Sequence, residues 1–149
     1  GRWLELGATT TWEKWDTGGS HNHPMFGGGM VWLYRKLAGM QADPNQPGYR
    51  HIIFKPQPVD EINFAKYYNE TPYGNAGIHW QRTDGKMNML VSVPVGCTAK
   101  VYLPCDDVSK VKESGLTLSE NDEISLIFNS KESPVLEIGS GNYKFYIEK

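Results

Sequence analysis

Apolar and polar positions alternate with a period of two over Ile78-His79-Trp80-Gln81-Arg82-Thr83 and again over Lys86–Val93. That alternation is the mark of strands with one buried face. Asp84-Gly85 between the two runs is the strongest short-range signal for a tight hairpin. With that turn Trp80 falls opposite Met89 and Ile78 opposite Val91, which puts their side chains on one face and makes the register self-consistent. Further strands are predicted at residues 51–55, 98–103, 123–129, 135–138 and 143–148, with Gly139-Ser140-Gly141-Asn142 turning the last pair. Several short strands separated by turns, without a helical period, predict an antiparallel β-sandwich.

The first part of the chain follows a different pattern. Residues 30–40 (MVWLYRKLAGM) read as a helix that is apolar nearly all round, with Arg35 and Lys36 towards its end. Such a helix is normally buried among other helices, and Gly39 is placed to close it with a left-handed cap. Residues 2–7 read as the end of another helix. The polar stretch Gln41-Ala42-Asp43-Pro44-Asn45-Gln46-Pro47-Gly48, with two prolines and a glycine, is a linker or turn. The expected division is therefore a short helical segment over 1–45 and a β-rich domain over 46–149. No repeat, heptad or low-complexity tract interrupts either.

Composition narrows the classes. The chain has 149 residues, 39 % of them hydrophobic and 12 % aromatic, which suits a folded globular domain and argues against disorder. The net charge is −2 and the basic residues are scattered, so no stripe exists for phosphate neutralisation and nucleic acid is not an expected partner. The longest unbroken apolar run, 30–34, is far short of the ~20 residues that a bilayer requires. Cys97 and Cys105 flank a predicted strand and should stand about 26 Å apart at 3.3 Å per residue. A disulfide needs Cα atoms within about 7 Å, so free thiols are expected and the redox compartment stays undetermined. The start at Gly1-Arg2-Trp3, without an initiator Met or a signal peptide, fits a piece of a longer protein.

Four features are candidates for chemistry. In Gly7-Ala8-Thr9-Thr10-Thr11-Trp12-Glu13-Lys14-Trp15-Asp16 a carboxylate lies between two tryptophans. Indole faces pack on sugar rings, and a partly desolvated Glu can be tuned as an acid or a base. The same residues admit a plainer reading, because Thr10-x-x-Glu13 has the spacing of a helix capping box. Next, Ser20-His21-Asn22-His23-Pro24 is a polar loop leading into the apolar helix. Its histidines suit hydrogen bonding to a substrate or within the loop. A metal needs three or four ligands and no further His or Cys is near, so neither metal nor cofactor is expected. Tyr67, Tyr68, Tyr73 and Trp80 fit packing better than a sugar-binding face. Asn69-Glu70-Thr71 matches a glycosylation acceptor, to which no role is assigned.

Taken in order, residues 7–16, Ser20-His21-Asn22-His23-Pro24-Met25-Phe26-Gly27 and Trp32-Leu33-Tyr34-Arg35 resemble the last part of the catalytic domain of bacterial α-L-rhamnosidases, glycoside hydrolase family 78. Residues 47–57 (PGYRHIIFKPQ), Tyr73-Gly74 and Gly139-Ser140-Gly141-Asn142-Tyr143 resemble that family's C-terminal β-sandwich. The resemblance spans nearly the whole chain. It implies that 1–45 is the end of an (α/α)6 barrel and that the parent hydrolyses terminal α-L-rhamnosyl groups with inversion. By the same resemblance Glu13 matches the general base and His23 a rhamnose-contacting residue, with Trp12, Trp15 and His21 as further site-lining residues. The loop between Glu13 and His23 is shorter than in some members.

The family's general acid lies upstream, on a segment not present here, and Asp16 does not match it. The expectation is that this chain alone is inactive and needs two partners, a rhamnose-containing glycoside and the upstream barrel of its parent. Self-association through the apolar helix is a further expectation. A non-catalytic carbohydrate-binding sandwich, or a purely structural module, is the alternative. Aglycone, linkage and compartment are not readable.

Overall fold

Asp84 and Gly85 both adopt left-handed backbone conformations, with φ of 50° and 76°, and the hairpin expected of them forms. In the computed structural model, which describes residues 1–128 and 133–148, the turn joins β4 (Gly74–Thr83) to β5 (Lys86–Val93). Trp80 faces Met89 and Ile78 faces Val91, and all four are buried.

By internal packing the chain divides into two units, Gly1–Leu33 and Tyr34–Lys149. The first contains α1 (Arg2–Glu5), a 3-10 turn (Pro24–Gly27) and α2 (Gly28–Trp32). The helix expected over 30–40 forms two residues earlier, from Gly28 to Ala38, and is less regular than its apolar run suggests. After α2 the backbone widens into a π-helical stretch, Leu33–Ala38, and Met40 already belongs to a strand. Gly39 has a φ of 90° and its N–H donates to the Tyr34 carbonyl, so the left-handed close is as expected. A Cβ there would overlap the backbone of Lys55 and Pro56, so the same glycine also admits close approach of that strand end.

The larger unit is a two-sheet sandwich. One sheet has the order β1 (Met40–Ala42), β2 (His51–Phe54), β6 (Thr98–Tyr102), β10 (Val135–Ile138) and β9 (Ile124–Phe128). The other runs β3 (Phe64–Thr71), β4, β5, β11 (Gly141–Glu148), β7 (Val111–Glu113) and β8 (Leu116–Thr117). Among the described residues pairing is antiparallel except between β2 and β6, which run parallel because the chain visits the other sheet between them. The turn at 139–142 does not close a hairpin, since β10 and β11 lie in different sheets and it carries the chain from one to the other. Residue 129, the end of the strand expected at 123–129, lies outside the described residues.

Inward-facing side chains of both sheets make one core. Phe54, Ile52, Val101 and Leu136 come from one sheet, and Trp80, Met89, Phe145 and Ile147 from the other, all essentially without solvent exposure. Trp80 has a polar atom to satisfy in that setting, and its indole N–H donates to the Leu37 carbonyl at 3.0 Å. Leu37 and Ala38 pack in the same core. Cys97 and Cys105 are both buried free thiols.

Candidate functional site

The chemistry-bearing loop lies in the smaller unit and is held by its own backbone. The Ala8 N–H donates to the Trp3 carbonyl at the close of α1, and Gly7, with a φ of 77°, redirects the chain. Residues 11–13 then run alongside residues 20–23 in a short ladder. Glu13 N–H donates to the Ser20 carbonyl at 2.8 Å and His23 N–H to the Thr11 carbonyl at 2.7 Å. Two hydroxyls add cross-links, Thr11 to the His23 carbonyl at 2.7 Å and Thr10 to the His21 carbonyl. At the tip, Asp16 Oδ1 accepts from the Gly18 N–H at 3.0 Å, and Thr17 and Gly19 take left-handed conformations.

This ladder settles what Glu13 does locally. No helix begins at Thr10, so the capping box that the spacing allows is not formed there. The Glu13 carboxylate instead accepts from the Ser20 backbone N–H, through Oε2 at 2.9 Å. The reciprocal capping box occurs elsewhere, at Thr117 and Glu120 of the 3-10 turn Leu118–Glu120. His23 Nδ1 stands 4.0 Å from the same Oε2, and both side chains are about one-third exposed. The Ser20 N–H holds the Glu13 carboxyl below its ordinary pKa, aided by the charges of His23 and Lys14 and opposed by partial desolvation. Glu13 is thus an ionised acceptor at neutral pH, pinned through one oxygen.

The aromatic residues form a row. Trp15 stacks on Trp3 at 4.2 Å between ring centroids, Trp3 lies 6.4 Å from Trp12 at a tilt of 40°, and Trp12 stacks on His21 at 4.0 Å. Trp3 also donates its indole N–H to the Lys14 carbonyl at 3.2 Å. The row divides the expected site residues by exposure. Trp12 is only 7 % exposed, whereas Trp15 is 66 % exposed and presents its surface to solvent. His21 has one face on Trp12 and its Nε2 against the Thr17 carbonyl at 2.9 Å. Glu13 and His23 are brought together, and Trp12 and His21 are brought together. Trp15 belongs with Trp3 instead.

Three contributors escape a reading of residue types. Ser20 acts through its backbone N–H, and Trp3 lies outside the motif. Gly19 clears space, since a Cβ on it would stand 2.5 Å from Glu13 Oε2. The Gly18-Gly19 pair shortly after an acid was the available signal for the last. Among the described residues no group of three or more His, Cys, Asp and Glu side chains is arranged to hold a metal ion. No helix among them is long and apolar enough to cross a membrane.

Comparison with known proteins places both units. Residues 39–117 match the model of the bacterial alpha-L-rhamnosidase C-terminal domain, and residues 1–37 that of the bacterial alpha-L-rhamnosidase 6 hairpin glycosidase domain. An alpha-L-rhamnosidase of Streptomyces avermitilis is 29 % identical over 155 residues, an alignment covering 97 % of this chain and 14 % of that protein. Among solved structures, the alpha-L-rhamnosidase from Dictyoglumus thermophilum superposes with a TM-score of 0.80 at 38 % identity, over 99 % of this chain and 17 % of that one. The Streptomyces avermitilis enzyme complexed with L-rhamnose gives 0.79 at 28 % identity, over 97 % of this chain and 14 % of that one. The chain spans about a seventh of the length of the curated relatives it matches.

Proposed function

We propose that this chain, which belongs to the bacterial α-L-rhamnosidase family, supplies one side of the catalytic site and the bracing sandwich of an enzyme that removes terminal α-L-rhamnosyl groups with inversion. The observation that carries this reading is the ionised Glu13 carboxylate, fixed by the Ser20 N–H and set 4.0 Å from His23. In an inverting reaction the water oxygen attacks the anomeric carbon as its proton passes to the base. The leaving-group oxygen takes a proton from the acid. Glu13 has the protonation state for the first role, with Oε1 to receive the proton while Oε2 stays on Ser20. In this reading His23 hydrogen-bonds a sugar hydroxyl beside Glu13, and exposed Trp15 packs on an apolar sugar face.

The acid must stand about 6.5–9.5 Å from the base to leave room for the water, and no residue here matches the family's acid. The chain by itself is therefore proposed to be inactive, the acid coming from the upstream barrel of the parent. Met30 (60 % exposed), Trp32 (45 %) and Leu33 (40 %) support that assignment, as apolar side chains that a barrel would cover. Left uncovered, they favour self-association, which light scattering of the isolated chain would register.

The test is Glu13→Gln in the parent enzyme. Turnover of an aryl α-L-rhamnoside should fall by about 10²–10⁴-fold with KM little changed. The wild-type product should appear first as the inverted anomer by NMR. Robust turnover by the isolated chain, abolished by Glu13→Gln, would refute the need for an upstream acid.

A further inference from the structure

The end of the sandwich where β3 turns into β4 holds a recess that the rhamnosidase reading does not use. Its volume is about 410 Å³, within the range of small-ligand sites. Three chain segments meet there: Tyr73-Gly74-Asn75 from the β3–β4 turn, Ser92 to Val95 at the close of β5, and Ser140-Gly141-Asn142 entering β11. Strand register brings them together, because Thr71 pairs with Gly74, Gly77 with Ser92, and Ser92 in turn with Asn142.

The walls are fixed before any ligand arrives. Buried Thr71 donates its hydroxyl to the Gly74 carbonyl at 2.7 Å and accepts from the Tyr73 N–H at 3.1 Å, which locks the turn that carries the ring. Ser92 donates to Asn142 Oδ1 at 2.8 Å, which orients that amide and directs its NH₂ group away from Ser92. Gly74, with a φ of 119°, sits against Pro94, where a Cβ would still find ordinary contact at 3.7 Å.

The chemistry of the lining selects a ligand class. None of the residues around the recess is charged, in a chain that is 21 % charged overall. A phosphate, a carboxylate or a cation would find no counter-charge there. What the recess offers is the Tyr73 side chain, 44 % exposed, two carboxamides, two serine hydroxyls and apolar Val95. Carboxamides donate and accept at once, which suits vicinal hydroxyls, and an aromatic face suits the C–H face of a pyranose ring. From this combination we infer that the Tyr73–Asn75–Asn142 recess is a second carbohydrate-binding site, taking one neutral pyranose unit and separate from the Glu13 loop.

The experiment titrates the ¹⁵N-labelled chain with L-rhamnose and, as a charged comparator, with glucuronate. Saturable shifts are expected at Tyr73 to Asn75, Ser92 and Ser140 to Asn142, including the Asn75 and Asn142 side-chain NH₂ signals. Tyr73→Ala should weaken the binding about two- to tenfold, and Glu13→Gln should leave these shifts unchanged. If Tyr73→Ala loses the dispersed spectrum of a folded chain, Asn75→Ala, exposed and outside the core, carries the same expectation. The inference is overturned if these residues show no saturable shifts, or if glucuronate binds there as well as the neutral sugar. Shifts confined to residues 11–23 would also overturn it, while leaving the proposal for Glu13 standing.

Discussion

Gly19 lies under the Glu13 carboxylate so closely that a single added carbon would reach within 2.5 Å of Oε2. Its φ of 73° is also one that L side chains adopt at a cost of about 1–2 kcal/mol. Gly19→Ala should therefore disturb the ladder and push Glu13 off the Ser20 N–H. The expected result is a Glu13 pKa that rises towards the ordinary carboxylate value, read from side-chain ¹³C shifts. In the parent enzyme kcat should fall with it.

The depressed Glu13 pKa has a pH consequence with a definite sign. The ionised form is the one that accepts a proton, and the Ser20 N–H, His23 and Lys14 favour that form. As the acidity increases, the parent's kcat/KM should hold until the pH passes below the ordinary glutamate range, then decline as Glu13 protonates. The stability contributed by the Glu13–Ser20 bond follows the same direction. It is complete above the unfolded-state pKa and is lost as pH falls through the lower folded-state value. Removing the positive neighbour with Lys14→Ala should move the acid limb upward.

Trp80→Phe keeps a ring in the core but removes the donor to the Leu37 carbonyl. An unpaired buried carbonyl costs about 1–3 kcal/mol, so the urea midpoint should drop accordingly. A variant as stable as wild type would mean that the carbonyl finds another partner.

Both thiols should be slow to react in the folded chain. Burial pushes Cys97 up and Cys105 up to about 11, so at pH 8 little of either is the reactive thiolate. A chromogenic disulfide reagent should titrate neither promptly in native buffer and both after unfolding in guanidinium.

The parts of the fold that were legible in the sequence are those set by neighbours along the chain. Asp84-Gly85 fixes a turn, and the alternation around it fixes which side chains face inward, so Trp80 against Met89 could be read directly. The β2–β6 parallel pair could not, because nothing near residue 51 says that residue 98 will lie beside it. β3 is hard to read from the sequence for another reason. As an edge strand it exposes Phe64 and Tyr68, which blurs its hydrophobic alternation. Met40 shows tertiary context overriding local pattern, since the apolar period continues through it while full burial in β1 takes it out of the helix. At the candidate site the residue types were visible, but the spacing Thr10-x-x-Glu13 could not distinguish a helix cap from a loop carboxylate. The ladder between 11–13 and 20–23 decides it, and that ladder depends on backbone groups that carry no sequence signature.

The position of β11 bears on how the protein is made. It is the last strand of its sheet to be synthesised, yet it lies inside that sheet, paired with β5 over its whole length and with β7 on its other side. A nascent chain that has not yet emitted residues 141–148 from the ribosome holds β3, β4 and β5 as one ribbon and β7 with β8 as another, with nothing to join them. The long flank of β5 is then an open edge of the kind that recruits other chains. Closure of this sheet must await residues 141–148, and translational pausing or premature termination shortly before residue 141 would leave the ribbon to chaperones.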